Sequence, residues 1–304
     1  MMTSEHSSPR LNLFWSFGRG HIAEFMLLMV AVVWGASYGL AKTAVFFYPV
    51  LGFLAIRFTV AAVLMSPFLW RKTNQEIVET VIVGAPLGVI LLAIFICETY
   101  GLSLTTASNA AFLISLCVVF TPLIEWLMLG VQPSSRNLIA VGSSIAGAWL
   151  LTSNSTLSFN SGDALILMAA FLRGLMVSST NLLTKNRKLD ASALTVVQTA
   201  VVGVGCLCIA FLMPPHHLPA LPRNPAFWFS TGFLVIFCTL LAFFAQNYAL
   251  QRISPTRVSL LMGSEPVFGA IFAVLFLRES LSISAWIGGA LIVLSSLWAI
   301  QKKK

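Results

Sequence analysis

The chain has 304 residues, 58% of them hydrophobic and only 9% charged, with 18 Lys and Arg against 10 Asp and Glu. Soluble domains carry about 25% charged residues, so this composition excludes a water-soluble fold of such length and specifies an all-α integral membrane protein. The net charge of +8 is read as a determinant of orientation, with membrane lipid as the partner and no nucleic acid.

Met1 to His21 is polar and basic, with no small-residue cleavage site, so residues 1–21 are expected to be a cytoplasmic tail rather than a signal peptide. A bilayer-crossing helix needs about 20 mostly apolar residues. Ten such runs follow in order: 23–43, 50–70, 78–102, 105–129, 137–153, 162–183, 191–212, 226–250, 255–277 and 282–300. Turn chemistry separates most of them: Tyr48-Pro49, Gln132-Pro133-Ser134, Asn154-Ser155, Pro214-Pro215, Ser254-Pro255 and Glu279-Ser280. The break from Ser103 to Ser108 has neither Pro nor charge. Residues 302–304 form a basic tail.

Ten crossings with a cytoplasmic N-terminus place Arg10, Arg19, Arg71, Lys72, Arg136, Lys185, Arg187, Lys188, Arg252, Arg257 and Lys302 to Lys304 inside. Only Lys42, Arg223 and Arg278 fall outside, and Arg57 and Arg173 stay within spans. That bias puts both termini in the cytoplasm of a multi-pass inner-membrane protein. The five cysteines lie in apolar runs without disulfide-framework or zinc-like spacing, so reduced packing roles are expected. His216-His217 reads as solvated loop, and neither a metal nor a cofactor is expected.

The chain also repeats itself. LAFFAQNYAL (241–250) aligns under AIFICETYGL (93–102), matching Phe95 to Phe243, Tyr100 to Tyr248 and Glu98 to Gln246. MAAFLRGLM (168–176) aligns under MVAVVWGAS (29–37), setting Arg173 on Trp34, and Pro266 answers Pro122. Five spans per repeat is an odd number, so the second half must enter the membrane from the opposite side. The expectation is two inverted five-helix repeats, residues 22–155 and 156–301, an architecture suited to exposing a midplane site to alternate sides.

VVWGASYGLAK (32–42), PVLGFLAIRF (49–58), SPTRVSLLMGSEPVFGAIFAVLFLRESLS (254–282) and WIGGALIVL (286–294) make the chain resemble the drug/metabolite transporter superfamily, specifically the EamA-type ten-helix permeases. The resemblance runs from Ile22 to the C-terminus, although LMLGVQPSS (127–135) lacks the acidic residue usual after that span. It implies small-molecule transport, often efflux of amino acids or related metabolites, and names no substrate.

Charged and amide side chains inside spans are costly and mark internal sites. Glu98, Arg173, Asn181, Gln246 and Glu265 are expected to face a polar cavity between the repeats. Trp34, Tyr38 and Lys42 are four residues apart on one helical stripe, suited to a ligand with an apolar side chain and a carboxylate. The alternative is that Trp34 and Tyr38 pack helix against helix while Lys42 snorkels outward. Arg57 reads as structural, Glu265 as a partner of Arg57 or Arg173 or a gate residue, and Glu125 as reaching interfacial water. Small residues in spans five and ten (GSSIAG, 142–147; Gly288-Gly289) fit either tight packing in a monomer or a homodimer interface.

The expected function is export of a small metabolite, foremost an amino acid, by alternating access. Trp34 and Tyr38 form the wall, Arg173 or Lys42 takes the carboxylate and Glu98 the ammonium. A membrane-embedded enzyme or an accessory or sensing protein is the alternative. No HExxH, paired intramembrane aspartates or Walker motif is present.

Overall fold

The computed structural model describes residues 9–105, 107–152, 160–213, 217–277 and 282–300, all of the regular structure there being helical. The helices are α1 (Pro9–Phe47), α2 (Val50–Met65), α3 (Pro67–Trp70), α4 (Asn74–Leu104), α5 (Ala107–Ser115), α6 (Cys117–Leu129), α7 (Ser135–Thr152), α8 (Ser161–Thr184) and α9 (Ala191–Leu212). They continue with α10 (Pro225–Val235), a π-helical stretch Ile236–Leu241, α11 (Ala242–Leu250), α12 (Pro255–Met262), α13 (Glu265–Leu277) and α14 (Ile283–Ile300).

Among the described residues, each apolar run expected from the sequence falls mainly on helix. Among the described residues, seven helical segments are long and apolar enough to cross a membrane: His21–Phe47, Val50–Trp70, Asn74–Leu104, Ala110–Leu129, Ser161–Thr184, Ala191–Leu212 and Pro225–Leu250. The other three runs fall on α7, on the broken pair α12–α13 and on the shorter α14. The expected turns at Asn154-Ser155, Pro214-Pro215 and Glu279-Ser280, with His216, Arg278 and the C-terminal lysines, lie outside the described residues.

Helix starts follow from side-chain caps that satisfy backbone N–H groups with no intrahelical partner. Thr73 with Glu76 and Asn160 with Asp163 form capping boxes on α4 and α8. Asp190 caps α9, and Asn224 caps α10 ahead of Pro225. Gly130 ends α6 at φ 67, a conformation only glycine adopts cheaply. The break between α12 and α13 falls just before Pro266, whose ring carries no N–H and crowds the carbonyl four residues back.

The two halves interlock: α1 packs against α10 to α13, α4 against α8 and α9, and α2 against α9. Polar contacts sort the helix ends into two groups. Glu24, near the start of the apolar segment His21–Phe47 of α1, meets Arg257 at the start of α12 (3.9 Å), and Lys72 before α4 meets Asp190 before α9 (3.0 Å). At the other end Lys42 donates to the Thr105 carbonyl closing α4 (3.1 Å), and the Thr105 hydroxyl donates to Asp163 in the first turn of α8 (2.6 Å). Helices α1 and α8 therefore start at opposite ends of the bundle.

The small residues of spans five and ten meet within the chain. Ser144 and Ser295 share a hydrogen bond (2.8 Å), and a Cβ on Gly147 would stand 2.6 Å from the Gly288 carbonyl oxygen. Glu125 departs from the expectation of interfacial water. It is buried and accepts from the Thr256 backbone N–H (3.0 Å) and hydroxyl, capping α12 from a neighbouring helix. The orphan donors of a helix start inside the bundle offer that carboxylate stronger partners than a distant interface.

Candidate functional site

The site forms where α1, α4, α8 and α13 meet around Arg173. The Arg173 Nη2 donates to both oxygens of Glu98, at 3.0 and 3.2 Å, and Nη1 donates to Glu265 Oε2 at 3.2 Å. Glu265 Oε1 accepts from the Tyr38 hydroxyl at 2.5 Å. The Arg173 Cζ stands 4.7 Å from the centre of the Trp34 ring, a cation–π arrangement. One guanidinium thus serves two carboxylates and an aromatic face, using the planar fork that lysine lacks.

Trp34 is fixed by a second interaction. Over the π-helical stretch the backbone pattern widens to i→i+5, and the carbonyl of Cys238 accepts from the Trp34 indole N–H (3.1 Å) and from Arg57 Nη2 (3.4 Å). Arg57 Nε also donates to the Thr239 hydroxyl (2.8 Å), and the guanidinium lies 5.0 Å from the Phe95 ring. Inside a bilayer a backbone carbonyl must find its donors within the protein; Trp34 and Arg57 provide two for Cys238. Arg57 is thereby structural, as its sequence position indicated, and it also lines the site.

Two adjoining cavities, each of about 30 Å³, share Trp34, Phe95, Arg173 and Glu265. The first is walled by apolar side chains including Leu91, Ile94, Met176 and Phe243, with Gln246 and Ser259 as polar members. The second holds Ser37, Tyr38, Arg57, Glu98 and Thr99. A water occupies at least about 10–15 Å³ on this measure, so each cavity has room for a water or two and no metabolite.

Six of the eight candidate residues come together here: Trp34, Tyr38, Glu98, Arg173, Gln246 and Glu265. Lys42 and Asn181 do not line either cavity. Lys42 holds the Thr105 carbonyl, and Asn181 donates to the Leu250 carbonyl at 2.7 Å. Of the partners considered for Glu265, the structure selects Arg173. Sequence reading passed over the hydroxyls of Ser37, Thr99, Ser115 and Ser259, because a lone hydroxyl in an apolar run satisfies itself on its own helix as readily as it lines a cavity. The π-helical stretch has no signal in FLVIFCTLLAFF.

The profile of the EamA-like transporter family matches residues 21–153 and 160–301. Similar proteins include an uncharacterized transporter of Archaeoglobus fulgidus, 27% identical over 90% of this chain and 84% of that one. The uncharacterized inner membrane transporter YedA of Escherichia coli K12 is 23% identical over 88% of this chain and 87% of that one. A crystal structure with 15% identity superposes at a TM-score of 0.73, covering 92% of this chain and 96% of that chain, so the fold is shared. The charge-lined centre of an apolar helical bundle, with the family match on both sides of it, is that of a membrane transporter, and the chain belongs to the EamA-like transporter family.

Proposed function

We propose that this protein is an inner-membrane exporter of small zwitterionic metabolites, amino acids with apolar side chains foremost, working by alternating access between two inverted five-helix repeats. The observation carrying the reading is Arg173, shared by Glu98 and Glu265 over the Trp34 face, with polar contacts joining the helices at both ends of the bundle. Contacts that can part at one end while those at the other hold are what alternating access requires.

Three features support the architecture. Helices α1 and α8, first in their halves, start at opposite ends. Trp34 and Arg173, aligned with one another in the sequence repeat, stack on one another, which supports a pseudo-twofold axis beside them. The Lys and Arg bias of the sequence supports a cytoplasmic position for both termini, and YedA is named as an inner-membrane transporter.

For the substrate, Arg173 supplies a charge-assisted carboxylate partner at Nη2, Glu98 an ammonium partner, and Trp34, Leu91, Met176 and Phe243 a pocket for an apolar side chain. Attraction between these charges is stronger than in water because little solvent screens them. Opening one end separates Glu24 from Arg257, Glu125 from Thr256 and Lys72 from Asp190; opening the other separates Lys42 and Asp163 from Thr105.

The test is tolerance of toxic amino-acid analogues in cells that overproduce the protein. Wild type raises tolerance, and Arg173→Lys, which keeps the charge and loses the fork, removes the gain at equal protein level. Unchanged tolerance in wild-type overproducers contradicts the substrate class.

A further inference from the structure

Arg173 holds its two carboxylates unequally. The Glu265 side chain is 4% exposed, and its two oxygens have different donors, Arg173 Nη1 at 3.2 Å and the Tyr38 hydroxyl at 2.5 Å. Its backbone is held as well, since the Glu265 carbonyl oxygen would lie 2.5 Å from a Cβ on Gly35. Glu98 is 14% exposed, and both of its oxygens rest on the single Nη2 of Arg173, at 3.0 and 3.2 Å. It stands in the more polar cavity beside Thr99. Four ionisable side chains with formal charge line that cavity, Arg57 and Arg173 against Glu98 and Glu265, and their charges cancel.

We propose that Glu98 is a built-in stand-in for the substrate carboxylate and the residue that selects zwitterions over plain acids. With the protein empty, Glu98 occupies the Nη2 edge of Arg173 as a ligand carboxylate would. An α-amino acid takes that edge, and the displaced Glu98 turns onto the ligand's ammonium. Glu265, locked by Tyr38, stays in place as the positioning residue of Arg173. The exchange keeps the site neutral at both stages. A deaminated acid also displaces Glu98 but brings no cation, so a carboxylate is left buried and unpaired, a strongly unfavourable state. The cavities are too small for the ligand and Glu98 to share the arginine without this movement. The inference rests on the amino-acid reading of the site.

The test uses the purified full chain in detergent, with ligand-induced thermal stabilisation as readout. The probes are leucine, methionine and phenylalanine, each against its deaminated acid. Wild type responds to each amino acid at a concentration about tenfold or more below that of the matching acid, the size of one lost charge contact. In Glu98→Gln the preference falls towards one or reverses, because a neutral amide strands no charge. In Glu265→Gln both series weaken and their ratio stays. Glu98→Asp, which keeps the charge on a shorter arm, retains the preference at lower affinity and serves where the glutamine variant does not fold. A Glu98→Gln that keeps the wild-type ratio, or a Glu98→Asp that prefers the acids, overturns the proposal and leaves the transporter reading standing. A wild type that responds to neither series overturns the amino-acid reading and this proposal together.

Discussion

Gly35→Ala drives a methyl group into the interface between α1 and α13. The new Cβ would lie 2.5 Å from the Glu265 carbonyl oxygen and 2.7 Å from the Gly269 nitrogen. Comfortable contact between such atoms begins near 3.5 Å, so the helices must part by about 1 Å. Both obstacles are backbone atoms, which no rotamer change moves aside. Overpacking of this kind costs about 1–3 kcal/mol. The Tyr38–Glu265 hydrogen bond of 2.5 Å crosses the same interface, and parting by about 1 Å takes it to the edge of hydrogen-bonding range. Thermal unfolding of detergent-solubilised protein, followed by tryptophan fluorescence, reads the loss; each kcal/mol lowers Tm by about 2–4 °C in a chain somewhat shorter than this. Gly39→Ala, one helical turn along α1, is the control, because nothing lies within 4 Å of its added Cβ. That change exchanges glycine for a better helix former and leaves Tm unchanged or raises it slightly. Equal Tm values for the two variants refute the close approach of α1 and α13.

Arg173→Ala leaves Glu98 and Glu265 buried without their cation and costs about 3–5 kcal/mol; adding Glu98→Gln, which restores charge balance against Arg57, recovers part of that Tm loss, and no recovery contradicts the ion-pair geometry. Glu125→Ala strips the Thr256 N–H and hydroxyl of their acceptor at the buried start of α12 and lowers stability by about 1–3 kcal/mol, measured as the shift in Tm. Asp190→Ala costs about 1 kcal/mol through its helix cap, whereas Asp190→Asn retains the cap and loses only the Lys72 pair, worth less than about 1 kcal/mol at a solvated site. Partial burial pushes the Asp190 carboxyl up, but Lys72 and the N–H groups of Ser192 and Ala193 outweigh it and hold the carboxyl below the usual aspartate value. Its contribution is therefore complete above the ordinary aspartate range and is lost as pH falls through the depressed value, a dependence that Asp190→Ala removes from the Tm-against-pH curve.

The centre of the site was legible because the bilayer penalises charge: Glu98, Arg173 and Glu265 stand out from apolar runs as they would not in a soluble protein. The four-residue spacing of Trp34 and Tyr38 carried both to the same place. Lys42 continues that stripe by one more turn, which moves it to the end of α4, where the carbonyl of Thr105 is nearer than the site. Asn181, like Lys42, ends on a helix-terminal carbonyl, an acceptor that composition cannot locate. Glu125 was misread for the related reason that its partner, the start of α12, is remote in sequence. The π-helical stretch left no trace because its effect, a carbonyl turned towards Trp34 and Arg57, belongs to backbone geometry rather than residue type.

The most direct measurement is release of radiolabelled amino acids from proteoliposomes containing the purified protein, run with and without a pH gradient. Leucine, methionine and phenylalanine leave faster than from protein-free liposomes, and Arg173→Lys reduces the release to the protein-free rate. Release no faster than from protein-free liposomes, or release that Arg173→Lys leaves intact, contradicts Arg173 as the substrate's carboxylate site.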